Sequence, residues 1–245
     1  MDKAFETYST LKEEVRRWQE ERGSFWIERL SPVKVPPHYP IKELPEKAVL
    51  ELCQRLNEVS NTVVSDSMLW ETWNKFNSLQ HVTNTELLSR LQIALCGVAK
   101  LFRETLPEMK KGSVNSQVRD DAGVSPTQST TCPICGELAG ISVLAPPNGR
   151  RYLHCSICGH EWLAKRIGCV HCGSEEASKL NYLHTEEYPG VEIIICQECW
   201  QYSKEYDLRV RNFADIEWET IRTLSLDYAA EKWLSEHAQL LERVQ

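Results

Sequence analysis

The sequence predicts an α+β protein: a helical N-terminal domain, two tandem metal ribbons and a C-terminal helix. Three observations carry that prediction. Apolar residues recur at helical intervals through the first 110 residues and again near the C-terminus. Eight of the ten cysteines form four Cys-x-x-Cys pairs, at 132/135, 155/158, 169/172 and 196/199. The pairs also repeat: 37 positions separate Cys132 from Cys169 and Cys135 from Cys172, and 41 separate Cys155 from Cys196 and Cys158 from Cys199.

Residues 1–110 read as a helical domain. Phe5, Tyr8, Leu11, Val15 and Trp18 recur along one helical face. "SPVKVPPHYP" is an extended connection, because proline disfavours helix in the residue before it. In "LPEKAVLELCQRLNEV", Pro45 suits a first turn, and Val49, Leu52, Cys53, Leu56 and Val59 make one apolar face. "DSMLWETWNKF" is a shorter helix carrying Trp70 and Trp73. The next helix opens on Thr83 and Glu86 as a capping box and stacks Leu87, Leu91, Ala94, Leu95, Val98 and Phe102. Residues 111–131 are polar, rich in Gly, Ser and Pro, and lack periodicity; they read as a flexible linker.

Residues 132–168 and 169–212 are the two ribbons. Each copy reads as a knuckle, a hairpin, a second knuckle and a third strand. In the first, "ISVLA" and "RRYLH" flank a turn at Asn148-Gly149, a strong hairpin signal, and "EWLAKR" follows. In the second, "LNYLHT" and "VEIII" flank a turn that accommodates the four extra residues, and "YSKEYDLRV" follows. Residues 213–245 return to helix. Asp215 can cap it, Glu217 and Glu219 suit the positive end of its dipole, and Trp218, Ile221, Leu224 and Tyr228 supply an apolar face.

A chain of 245 residues suits one large or two smaller domains. Its opening stretch is too charged for a signal peptide, and no apolar run approaches a membrane span, so the expected compartment is the cytoplasm, where thiols stay reduced. Disulfides are therefore disfavoured. Thioredoxin-like chemistry needs a Cys-x-x-Cys at a strand-to-helix junction, whereas these pairs lie in hairpin knuckles. A tetrahedral metal site fits better: two residues between cysteines let both sulfurs of a knuckle reach one ion, and a following glycine relieves the tight turn. Gly136, Gly159 and Gly173 hold that position, while Trp200 departs from it. The repeat pairs Cys132, Cys135, Cys155 and Cys158 around one ion and Cys169, Cys172, Cys196 and Cys199 around the other. Four thiolates suit zinc, as in zinc ribbons, or a single iron, as in a rubredoxin-like centre, and spacing leaves both open. Either cage is complete, which disfavours Lewis-acid or hydrolytic catalysis.

The remaining candidates are weaker. His154, His160 and His171 flank knuckles whose ligand sets are already full, and read as neighbours of the cages or exposed residues. Cys53 and Cys96 read as small core residues. Arg150-Arg151 and Lys165-Arg166 form a basic cluster that is either solvated surface or a contact for an acidic partner. The net charge of -7, with eight Lys/Arg against ten Asp/Glu in residues 132–212, disfavours nucleic acid. No Gly-rich phosphate loop, Ser/His/Asp pattern or HExxH is present, so no catalytic or cofactor-binding residues are assigned and the protein is not expected to be an enzyme.

The motifs around the cysteines are more specific than the cysteines. "CPICG", "GRRYLHCSICGHEWLAKRIGCVHCG", "CQECWQYSK" and "TLSLDYAAEKW", across residues 132–233, resemble the formate dehydrogenase accessory protein FdhE family. Arg151, Tyr152, Glu161, Trp162 and Arg166 match that family's motif without an assigned role, and Lys232-Trp233 stands where the family pattern has glycine and tyrosine. The resemblance implies a cytoplasmic assembly factor needed for active respiratory formate dehydrogenase but not part of it. It implies rubredoxin-like knuckles, iron as the suspected metal, and the eight cysteines as its ligands. The implied partner is the molybdenum- or tungsten-bearing catalytic subunit before export, with the iron–sulfur subunit as a second candidate; no membrane contact is implied. A rubredoxin-type electron carrier and a zinc-ribbon nucleic-acid binder are the alternative classes.

Overall fold

A computed structural model of the chain describes residues 3–106, 126 and 129–242, with side chains described to residue 237. Most of the segment read as a linker lies outside the described residues. The chain forms two compact units, Met1–Lys110 with Pro133–Gly136, and Lys111–Cys132 with Glu137–Gln245.

The first unit is built on four helices: α1 (Lys3–Ile27), α2 (Glu46–Val59), α3 (Asp66–Asn77) and α4 (Thr85–Arg103). Their apolar faces meet in a core of Trp18, Leu52, Leu56, Leu87, Leu91, Val98 and Phe102, all wholly buried. Phe5, by contrast, is exposed, so the start of α1 lies outside that core. Close packing depends on Gly97: a Cβ there would stand 2.8 Å from Leu52 Cδ2 and from Val15 Cγ1. The cap of α4 is Asn84, whose side chain accepts from the Leu87 N–H, rather than Thr83 of the expected capping box. Between α1 and α2 the proline-rich segment is extended. Its His38, Tyr39 and Ile41 N–H groups donate to the carbonyls of Pro133, Ile134 and Cys135 at 3.0, 2.7 and 3.1 Å, which ties Pro133–Gly136 into this unit.

The second unit carries strands β1 (Ile141–Ala145), β2 (Arg150–His154), β3 (Glu161–Ala164), β4 (Leu180–His184), β5 (Val191–Cys196) and β6 (Gln201–Asp207). They make one six-stranded sheet in the order β3-β2-β1-β6-β5-β4. Each repeat contributes three antiparallel strands, and the repeats join through a parallel β1–β6 pair, with Ser142 opposite Glu205. Two ribbons were expected; the structure fuses them into one sheet.

Period-two alternation then sorts the residues. Ile141, Val191, Ile193, Ile195 and Tyr206 face α5 (Ile216–Arg222) and α6 (Leu224–Glu242), packing with Phe213, Leu226 and Ala230. Ser142, Arg151 and Glu205 meet on the other face. The expected single C-terminal helix is thus two, broken at Thr223. Asp215 caps the first, its side chain accepting from the Glu217 and Trp218 N–H groups. The break resets the helical phase. Leu226 and Ala230 are buried while Ile221, Leu224 and Tyr228, expected on the core face, are exposed. Lys204 anchors the joint from β6, its Nζ 2.6 Å from Asp227 Oδ2 and 3.0 Å from Thr223 Oγ1.

Candidate metal centres

Four tight turns present the eight cysteines. Cys132 and Cys135 lie in the turn before β1, closed by the Cys132 N–H on the Glu137 carbonyl at 2.8 Å. Cys155 and Cys158 lie between β2 and β3, where the Gly159 N–H donates to the Cys155 carbonyl at 2.9 Å. Cys169 and Cys172 precede β4, with the Gly173 N–H on the Cys169 carbonyl at 3.1 Å. Cys196 ends β5, and the Trp200 N–H donates to its carbonyl at 2.9 Å. Each turn closes on a residue of positive φ: Gly136 at 82°, Gly159 at 66°, Gly173 at 73° and Trp200 at 55°. Glycine takes this conformation freely; Trp200 takes it at a cost of about 1–2 kcal/mol.

The structure brings Cys132, Cys135, Cys155 and Cys158 into one group and Cys169, Cys172, Cys196 and Cys199 into another, the sulfurs of each lying within 4.8 Å of one another. Among the described residues these are the two such groups. No disulfide joins them. Cys132 and Cys158 sulfurs are 3.6 Å apart, Cys169 and Cys199 3.6 Å, and Cys172 and Cys196 3.9 Å. A disulfide would need about 2 Å. A tetrahedron with metal–sulfur bonds of about 2.3 Å has edges of about 3.8 Å, so the donor set and its spacing fit a four-thiolate ion. The ion would supply a cross-link with no open coordination position.

The cages differ in their surroundings. All four cysteines of the first are buried, whereas in the second Cys172 is exposed and Cys199 half-buried. Burial pushes the Cys169 and Cys199 thiols above their ordinary value. Burial also acts upward on Cys172, but the Ser174 N–H and the neighbouring cysteines outweigh it and bring that thiol below its ordinary value.

The residues around the cages have defined partners. His171 is turned away from the second cage, its Nε2 bonding the Tyr202 carbonyl at 2.8 Å, while its backbone N–H donates to Cys169 Sγ at 3.3 Å. His154 Nδ1 meets Glu161 Oε1 at 3.1 Å, and its Nε2 is buried with no hydrogen-bond partner among the described residues. His160 stacks on Trp162, whose indole N–H donates to the Ser129 carbonyl at 3.1 Å. Arg151 does not belong to a surface basic cluster: it is 3% exposed. Its Nη1 donates to the Gly168 carbonyl at 2.7 Å and its Nη2 to Ser142 Oγ at 3.2 Å. Its Nε makes an ion contact with Glu205 Oε2 at 2.8 Å, off the hydrogen-bond axis. Arg166 approaches the other oxygen of Glu205 at 3.9 Å. Lys165 pairs with Glu175. Ser142, Glu205 and Gly168 had no signal in the sequence, since only the fused sheet brings them to Arg151. Cys53 is buried within α2, and Cys96 on α4 is half-buried.

Comparison with known proteins points to the same stretch. Residues 131–166 match the family model described as FdhE, central domain. The chain is similar to proteins named "Protein FdhE homolog" from Aquifex aeolicus (36% identical over 104 residues, 41% of this chain and 37% of that one) and Stutzerimonas stutzeri (40% over 102 residues, 40% of this chain and 33% of that one). The match thus spans about a third of those relatives' length. A solved structure, the FdhE protein from Pseudomonas aeruginosa, shares the fold, with a TM-score of 0.57 and 20% identity over 90% of this chain and 75% of that one. The FdhE resemblance read from the motifs is borne out.

Proposed function

We propose that this protein is a non-enzymatic assembly factor for respiratory formate dehydrogenase, acting in the cytoplasm on the catalytic subunit before export. Its eight paired cysteines hold two metal ions. The reading rests on one observation above others: the chain carries two complete four-sulfur clusters, the first of them inside the residues 131–166 that match the FdhE central-domain model. In such a protein the ions lock the turns at the ends of the strands, and the sheet becomes a rigid platform for the partner. The iron–sulfur subunit is the second partner. No described helix is long and apolar enough to cross a membrane, which fits action on a subunit before it leaves the cell interior.

The experiment is co-purification of the protein with the formate dehydrogenase catalytic subunit, alongside formate dehydrogenase activity in a deletion strain. Association and a deep loss of activity are expected; no association together with normal activity overturns the reading. The half-exposed second cage also favours a variant of it, in which an iron centre there passes one electron to the immature enzyme. Anaerobically purified protein that is colourless and carries two zinc ions would remove that variant and leave the assembly role standing.

A further inference from the structure

The two cages are built from the same repeat, yet the second departs from the first in three independent ways. The first is burial. Cys132, Cys155 and Cys158 are wholly buried and Cys135 nearly so, at 3%, whereas Cys172 is exposed and Cys199 half-buried. The second is an adjoining cavity. A pocket of about 230 Å³ lies beside the second cage, lined by Cys169 and Cys172 themselves with Gly168, Gly173, Arg151 and Lys165 among its walls. Neither sulfur-bearing turn of the first cage contributes to it. The third is backbone conformation. Trp200, next to Cys199, holds the left-handed conformation that glycine holds in the other three turns. Strain of this kind persists where the surrounding structure enforces it, and it gathers at working sites.

Solvent and ligand access to a metal centre is set by the shell around its ligands. We propose that the second cage is the exchangeable metal site of this protein, open through the Cys172 cavity to small thiols, and that the first cage is a permanent strut. The proposal rests on the two-ion reading above. Cys169, Cys172, Cys196 and Cys199 would hold the ion there, and exchange would replace these sulfurs one after another by incoming thiols, each thiol's proton passing to the sulfur it displaces; no electron would move. The cavity's size limits the entrant to a small molecule.

The test uses the full chain loaded with zinc and challenged with excess 2,3-dimercaptosuccinate, a small anionic dithiol. Native mass spectrometry counts the ions remaining, and pulsed iodoacetamide labelling with peptide mapping shows which sulfurs are released. The expected result is a start at two ions and a loss in two phases separated by about tenfold or more, with Cys169, Cys172, Cys196 and Cys199 labelled in the fast phase. Ile167→Trp, which narrows the cavity at an exposed wall residue outside both cages, is expected to slow the fast phase and leave the starting ion count unchanged. Loss of both ions at one rate, earlier labelling of the first cage, or a fast phase indifferent to Ile167→Trp overturns the proposal. A starting content below two ions overturns the two-ion reading along with it.

Discussion

Cys53 and Cys172 show how far position alone separates two thiols of one chain. Cys53 lies wholly inside the helical core, where burial pushes its thiol up to about 12. It reads as a small packing residue in the sequence and is one in the structure. A pH dependence follows from its surroundings. In the unfolded chain the thiol loses its proton near its ordinary value of 9.0, whereas the folded chain keeps it until about 12. Across that window the folded state binds more protons, so stability is full below pH 9 and falls as pH rises. Cys53→Ala is expected to flatten that decline in urea unfolding measured between pH 8 and pH 11. At Trp200 a local rule is broken instead, next to Cys199 of the one cage that reaches the surface. The absence of glycine after Cys199 was visible in the sequence; the positive φ that Trp200 holds was not.

Between elements, the decisive contact is the parallel pairing of β1 with β6, which turns two ribbons into one sheet. The sequence repeat predicts six strands and their hairpins, because both are local: alternating apolar residues and tight turns specify them over a few positions. The partner of β1 is about sixty residues away and leaves no periodic trace, a distance at which only tertiary packing chooses. Arg151 seals this joint, reaching from β2 across to Glu205 on β6 and to the carbonyl beside Cys169. Removing one partner from such a buried pair leaves the other charge unmet. Arg151→Ala is therefore expected to destabilise the protein by about 3–5 kcal/mol, read as a lowered urea midpoint, and Glu205→Ala by a similar amount. An exposed control, Arg150→Ala, is expected to change the midpoint little. The helices teach the same lesson. The apolar residues of the C-terminal segment were legible, but the break at Thr223 decided which of them face the sheet.

For the molecule as a whole, metal and fold are linked: four turns gather eight sulfurs, and an ion in each group would stabilise the folded state over the unfolded. Removal of both ions is expected to raise hydrogen exchange across β1–β6 by orders of magnitude, while amides in α2 and α4, resting on the apolar core of the first unit, stay protected. Equal protection with and without metal would show that the sheet does not depend on its ions. The sequence by itself determined the α+β class, the four helices of the first unit, the strands of the ribbons, the grouping of the cysteines by repeat, and the family resemblance. These are properties of local pattern and spacing, which a chain carries whatever its path. Tertiary structure alone decided that the ribbons share one sheet, that Arg151 is internal, and that one cage is closed while its copy opens on a cavity. Each of those depends on which distant residues meet, and burial is a property of neighbours rather than of the residue that is buried.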